Sequence, residues 1–269
     1  MYLEYYQLKE APFNVTPDPR FLFFSSQHRE AFELLRYGIE QRRGFIVLTG
    51  EVGSGKTTLT RAILASLPAN VRAALVLNPL VTATQLLRAI LRDLGCEATS
   101  RDRLQLIGQL NAFLLRESAA GRNIAVILDE AQDLTTDILE QLRLLSNLET
   151  DQQKLLQLVL VGQPELHTRL AQPELRPLRQ RILVRCELRA LTLEEVGQYL
   201  AFRLEVAGAP EPRLFDDAAV QLLHEHAAGL PRVINALADR ALLAGYVARA
   251  PRITRAEAER AVQDLGTWT

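Results

Sequence analysis

The sequence predicts an α/β fold: a mostly parallel five-stranded sheet with crossover helices, followed by a smaller all-helical domain. Three observations predict it. Short apolar runs alternate with longer amphipathic stretches through most of the chain, and strands alternating with helices require crossover connections. Those runs are nearly continuous in apolar residues, the pattern of strands covered on both faces. Beyond Ala190 no strand pattern continues, while helical spacing persists to the end. The reading divides the chain into an N-terminal segment and helix (1–44), an α/β core (45–189) and a helical domain (190–269), lengths usual for compact domains.

The elements follow in order. The opening is irregular, because Pro12, Pro17 and Pro19 each remove a backbone donor and push the preceding residue toward extended structure. Phe32, Leu35 and Ile39 then fall at helical spacing within 30–41. Strands are expected at 45–49, 73–77, 124–128, 156–161 and 182–184, with helices at 58–67, 84–94, 104–116 and 137–148 between them. In the last region Thr192 and Glu195 stand at capping-box spacing ahead of Val196, Leu200 and Leu204. Further helices are expected at 216–228, 231–248 and 254–265, with Pro231 and Thr254 where helix starts favour them and a loop at 208–212.

Composition excludes several classes. Of 269 residues 48% are apolar and 23% charged, which argues against disorder. Lys+Arg is 31 and Asp+Glu 32, a net charge of -1, so a strongly basic nucleic-acid coat protein is not expected. Two cysteines, Cys96 and Cys186, cannot build a disulfide framework or a cysteine-based zinc finger, and read as buried thiols. The start carries Glu4, Lys9 and Glu10, where a signal peptide needs an apolar run. The longest uncharged stretch, 73–87, is broken by Asn78, Pro79 and Gln85, and a spanning helix needs about 20 mostly apolar residues. A soluble cytoplasmic protein without direct membrane insertion is expected, any membrane association coming through a partner.

The chemistry concentrates in a few places. Gly50, Glu51, Val52, Gly53, Ser54, Gly55, Lys56 and Thr57 fit G-x-x-x-x-G-K-[ST] between an expected strand and an expected helix, the context that a phosphate loop requires. Its glycines let backbone N–H groups turn inward at an anion, and the helix N-terminus adds partial positive charge. Lys56 is read as reaching the β- and γ-phosphates of ATP, the Thr57 hydroxyl as ligating Mg²⁺, and Thr58 as a further nucleotide-binding residue.

The apolar run 124–128 ends in Asp129 and Glu130, and a parallel strand delivers its C-terminal residues to the ligand crevice. Asp129 is read as holding Mg²⁺ through water, and Glu130 as the base for the attacking water. The string Asp129, Glu130, Ala131, Gln132 also matches the acidic box of helicases, but those enzymes grip a strand between two motor domains and this length has room for one. Gln163, ending the fourth strand, is read as positioning the water.

Arg176, Arg179, Arg181, Arg185 and Arg189 follow. One of them could reach a neighbouring subunit's γ-phosphate, line a DNA path, or face solvent; Arg181 ranks first and Arg179 second for the first role. Arg232 opens a helix after Gly229, Leu230 and Pro231, where a cation works against the helix dipole, so contact with phosphate is the expected reason. His28, His167, His224 and His226 have no metal-ligand spacing.

This order of motifs resembles the AAA+ ATPases. The opening, Tyr2-Leu3-Glu4-Tyr5-Tyr6, Leu8-Lys9-Glu10-Ala11-Pro12-Phe13, Thr16-Pro17-Asp18-Pro19-Arg20-Phe21 and His28-Arg29-Glu30-Ala31, together with Val161-Gly162-Gln163-Pro164-Glu165-Leu166, resembles the ExeA/GspA group, the general secretion pathway protein A family. The resemblance implies a P-loop NTPase core with a helical lid. It implies Mg-dependent ATP hydrolysis by a homo-oligomer, a hexameric ring being one arrangement, with Arg181 or Arg179 as a finger in trans, Gln163 as sensor 1 and Arg232 as sensor 2. It also implies an adenine-side role for the region near 13–24, and a membrane-protein partner in a secretion, pilus or exopolysaccharide system. A DNA-binding regulator of transposition of the TniB/TnsC type and a nucleotide-gated scaffold with little turnover are the alternatives. The family's usual membrane helix and periplasmic peptidoglycan-binding domain are not among these 269 residues, so direct cell-wall binding is not expected.

Overall fold

The computed structural model describes residues 1–14, 16, 18–77 and 82–266. Pro17, Asn78 and Pro79, read above as breaks in the pattern, lie outside them. The strands are β1 Phe45–Gly50, β2 Val71–Val76, β3 Asn123–Leu128, β4 Leu156–Gly162 and β5 Ile182–Leu188. The helices are α1 Tyr2–Tyr5, α2 Ser26–Glu40, α3 Lys56–Ser66, α4 Ala83–Asp93, α5 Arg103–Ala119, α6 Thr136–Leu145, α7 Glu165–Leu170, α8 Arg176–Arg179, α9 Leu193–Val206, α10 Asp217–Ala227, α11 Pro231–Ala248 and α12 Arg255–Gly266. The chain forms two compact units, one of residues 29–50 and 60–188, the other of residues 1–28, 51–59 and 189–269.

The first unit holds the sheet, in the order β2-β3-β4-β1-β5. Every pair is parallel. The three central strands are buried at every position, as their continuous apolar sequence requires. The edges behave differently. In β5, Ile182, Val184, Cys186 and Leu188 are buried while Leu183, Arg185 and Glu187 are exposed. The strand expected from the sequence spans only 182–184. An edge strand with one solvated face accepts polar residues at alternate positions, so it runs on to Leu188. Burial also pushes the Cys186 thiol up to about 12, so it is a packing group.

Local chemistry sets several helix starts. Thr82 and Gln85 form a reciprocal capping box on α4. The side chains of Asp102 and Thr135 accept the first free amides of α5 and α6. The short helices α7 and α8 were not anticipated; neither is long enough to carry an amphipathic pattern.

The second unit packs α9, α10, α11 and α12 around one apolar cluster. Thr192 and Glu195 form the expected capping box on α9. The irregular opening is part of this unit: Tyr6, Leu8, Phe13 and Phe21 are buried in the cluster. Buried Arg203 ties the opening down. Its guanidinium donates to the carbonyls of Pro12 (2.5 Å) and Asn14 (3.3 Å) and to the Tyr199 hydroxyl (2.8 Å), and lies over the Phe21 ring at 4.9 Å. A buried guanidinium must find acceptors or ring faces for its donors, so the segment's free carbonyls are held.

Candidate functional site

In the unit containing residues 51–59, the loop after β1 turns through Gly53 (φ 81°) and Gly55 (φ 100°), values only glycine reaches without strain. Space demands glycine too. A Cβ on Gly53 would stand 2.5 Å from Arg232 Cβ, and one on Gly55 3.2 Å from His28 Nε2. The Ser54 amide donates to Glu51 O at 3.1 Å, and the Leu59 amide to Gly55 O at 2.9 Å, which opens α3. Buried Lys56 donates from Nζ to Glu51 O at 3.0 Å. The Arg232 amide donates to Gly53 O at 3.2 Å, so the first turn of α11 is hydrogen-bonded to the loop, and the Arg232 side chain is exposed.

His28 is buried here, its ring bonded to Ser54 O at 3.0 Å and to Ser25 Oγ at 2.8 Å. Burial lowers its pKa, against smaller opposing effects of the Ser54 carbonyl and the Glu195 charge. Of the aromatic residues in the region expected to serve adenine, Phe13 and Phe21 are taken up by the core, Phe23 meets the Tyr199 ring edge-on and the Phe202 ring at a tilt, and Phe24 is exposed.

In the sheet unit, β1, β4 and β3 are successive parallel neighbours, so Gly50, Gln163 and Asp129 emerge at one edge. The buried Asp129 amide extends the ladder to Val76 O at 2.9 Å. Its carboxylate Oδ1 accepts the Glu130 amide at 3.0 Å. Glu130 adopts φ 53°, ψ 40°, the left-handed region, which a non-glycine residue enters at a cost of about 1 kcal/mol. The Asp129 bond holds it there, and the chain then turns through Ala131–Asp133.

The Glu130 carboxylate is gripped by amides. Its Oε2 accepts from Gln132 Nε2 at 2.8 Å and from Gln163 Nε2 at 3.4 Å. Gln132 Oε1 accepts the Gln163 backbone amide at 3.0 Å, so one side chain joins the ends of β3 and β4. Arg169 donates to Gln132 O at 3.2 Å. On β1, Thr49 Oγ1 pairs with His167 Nε2 at 2.8 Å.

The arginines separate. Arg181 donates to Ser146 Oγ (2.8 Å), to Arg143 O (3.4 Å) and to Asn147 Oδ1, at the C-terminal end of α6, where the helix dipole favours a cation. The Arg179 guanidinium donates to Ala171 O at a long 3.4 Å, and the Arg179 carbonyl accepts from Arg185 at 3.4 Å. Arg176, Arg185 and Arg189 are exposed.

Sequence reasoning singled out neither Gln132 nor His28 for a role. Gln132 stood in view within the acidic string, weighed only as a helicase resemblance. His28 figured only in the absence of metal-ligand spacing and in the family resemblance of residues 28–31. The donor chemistry suits the ligands expected. Among the described residues the Ser54 hydroxyl is buried without a partner inside the loop. The candidate metal donors, a threonine hydroxyl and a carboxylate, are the hard oxygens that Mg²⁺ prefers.

Residues 39–170 match the AAA domain family. The whole chain is 44% identical over 275 residues to general secretion pathway protein A of Aeromonas hydrophila, and spans 50% of that protein. Among solved structures, Aeropyrum pernix ORC2 in its ADPNP–ADP complexes superposes with a TM-score of 0.70 at 18% identity, covering 95% of this chain and 71% of that one. Cdc6p from Pyrobaculum aerophilum gives 0.69 at 18%, covering 94% and 70%. The RuvB Holliday junction branch migration motor of Thermotoga maritima gives 0.59 at 21%, covering 90% and 70%. At these identities the solved structures speak for the fold alone.

Proposed function

Because the chain belongs to the AAA family and is similar along its whole length to general secretion pathway protein A, we propose that it is a Mg²⁺-dependent ATPase working as an oligomer. In this reading the loop amides of residues 51–57 and Lys56 take the triphosphate, Lys56 leaving the Glu51 carbonyl for the phosphates. Thr57 and Asp129 would hold Mg²⁺, Asp129 through water, and the ion when bound would supply positive charge against the phosphates. Glu130 takes the proton of the attacking water as its oxygen bonds the γ-phosphorus and the bond to the bridging oxygen of ADP breaks. Gln163 orients that water, and Arg232 contacts phosphate. An arginine from a neighbouring subunit completes the charge. Arg181 is already committed to the end of α6, so Arg179, whose guanidinium is held among the described residues by a long bond to Ala171 O, becomes the first choice.

The observation that supports hydrolysis rather than binding alone is the Glu130 carboxylate, set by two side-chain amides. A scaffold that only senses nucleotide has no use for a base so placed. The similarity to general secretion pathway protein A supports a role in assembling a secretion, pilus or envelope system, the protein acting in the cytoplasm at the membrane through a membrane-protein partner. Among the described residues no helix is long and apolar enough to cross a membrane. A second reading, ATP-driven assembly on DNA, rests on the exposed Arg176, Arg185 and Arg189. One experiment covers both: MgATPase rate against protein concentration, for wild type and Glu130→Gln, with and without duplex DNA. The expected result is a rate per subunit that rises with concentration, is lost in Glu130→Gln and ignores DNA. Stimulation by DNA would move the reading to the second; bound ATP with no turnover in any condition would refute hydrolysis.

A further inference from the structure

His28 has no part in the chemistry above, yet it is buried against the loop, and each of its hydrogen-bonding groups is engaged. Ser54 O can only accept, so the ring nitrogen 3.0 Å from it, Nε2, carries a proton. Burial disfavours the charged ring. In the neutral ring Nδ1 is therefore the acceptor, and Ser25 Oγ, 2.8 Å away, donates to it. The same Ser25 oxygen accepts the His28 backbone amide at 3.3 Å, which fixes the serine in turn. A single tautomer satisfies the whole set.

The consequence lies in the peptide that His28 holds. A trans peptide is planar, with its carbonyl and the following N–H pointing in opposite directions. A carbonyl of Ser54 turned to His28 points the Gly55 N–H the other way. Gly55, at φ 100°, has a backbone free to flip, and no side chain of its own to resist it. A flip would aim a carbonyl oxygen where the loop needs a donor to meet an anion. Ser54 is buried and its hydroxyl has no partner among the described residues, so that side chain does not anchor the peptide.

We propose that His28 is a positioning residue for the phosphate loop: its Nε2–H locks the Ser54–Gly55 peptide so that the Gly55 amide is presented to the phosphates of ATP. The inference rests on the nucleotide-binding reading. Its ligand is the phosphate chain, so ATP and ADP depend on it alike.

The test is titration of wild type, His28→Ala, His28→Gln and Ser25→Ala with a fluorescent N-methylanthraniloyl ATP and its ADP counterpart in the presence of Mg²⁺, with Lys56→Ala as the non-binding control. Glutamine places an amide N–H where Nε2–H stood, so it can hold the same carbonyl. Loss of one hydrogen bond that orders a ligand donor is expected to weaken both nucleotides about tenfold in His28→Ala. His28→Gln is expected to return to within about threefold of wild type, despite losing the ring's packing. In ¹H–¹⁵N spectra of the wild type the ring is expected as the neutral Nε2–H tautomer. If His28→Ala does not fold, Ser25→Ala carries the test. Removing the donor to Nδ1 frees the ring, and about a threefold weakening is expected. Wild-type affinity in His28→Ala, or in Ser25→Ala where that variant carries the test, would overturn the inference. So would a His28→Gln as weak as His28→Ala, or an Nδ1–H tautomer. Wild type binding no better than Lys56→Ala would instead remove the nucleotide reading, and the inference with it.

Discussion

Gly53→Ala tests the contact between the loop and the start of α11. Two costs add. Alanine at φ 81° pays for a left-handed backbone, about 1 kcal/mol. Its Cβ would also stand 2.5 Å from Arg232 Cβ, where real Cβ contacts essentially never fall below 3.0 Å. The obstacle is a Cβ fixed to the backbone of a helix, not the tip of a flexible side chain, so relief requires the loop or α11 to move. Overpacking of this kind costs about 1–3 kcal/mol. The expected total is about 3 kcal/mol in urea denaturation without nucleotide. The two parts can be separated, because Arg232→Gly removes the opposing Cβ but leaves the backbone cost. In the double variant about 2 kcal/mol of the Gly53→Ala penalty is therefore expected to vanish, a coupling far above the scatter of independent sites. Effects that add to within about 0.5 kcal/mol would refute the close approach, and with it the reason given for glycine at this position.

Other outcomes are expected. Buried Glu117 accepts from Arg122 at 2.6 and 3.0 Å and from Arg72 at 3.3 Å, and these bonds, those of Arg122 foremost, lower its carboxyl to about 2. A depressed folded pKa gives stability that is complete above the unfolded value, near 4.5, and fades as pH falls toward 2. With the arginines 39% and 45% exposed, solvent screening leaves about 2 kcal/mol. Glu117→Gln should cost that at pH 7 and much less at pH 3 in paired denaturation curves, and an equal cost at both would refute the assignment. Gln132→Ala should lower kcat about tenfold or more with KM little changed, since it loosens the base without touching the loop; a rise in KM at constant kcat would place Gln132 in nucleotide binding instead.

Much of the architecture was legible because it depends on residues adjacent in the chain. The central strands are covered on both faces, so their apolar runs are unbroken and could be read directly. The loop announced itself because an anion cradle needs glycines, a lysine and a hydroxyl residue in contiguous order. The acidic pair at the end of β3 needs only to follow a buried strand. The extent of β5 was misread because its outward face answers to solvent, and only the sheet order places it at an edge.

What the sequence determined by itself is the fold class and the candidate residues for phosphate chemistry, because both follow from periodicity and local spacing. The tertiary structure decided how those residues are held. Gln132 reaches the Gln163 amide across two strand ends, His28 holds a carbonyl 26 positions away, Arg203 gathers carbonyls from the opening segment, and Arg181 is spent on the end of a helix. Each depends on a partner distant in the chain, and no local pattern encodes which donor will meet which acceptor once the backbone has closed.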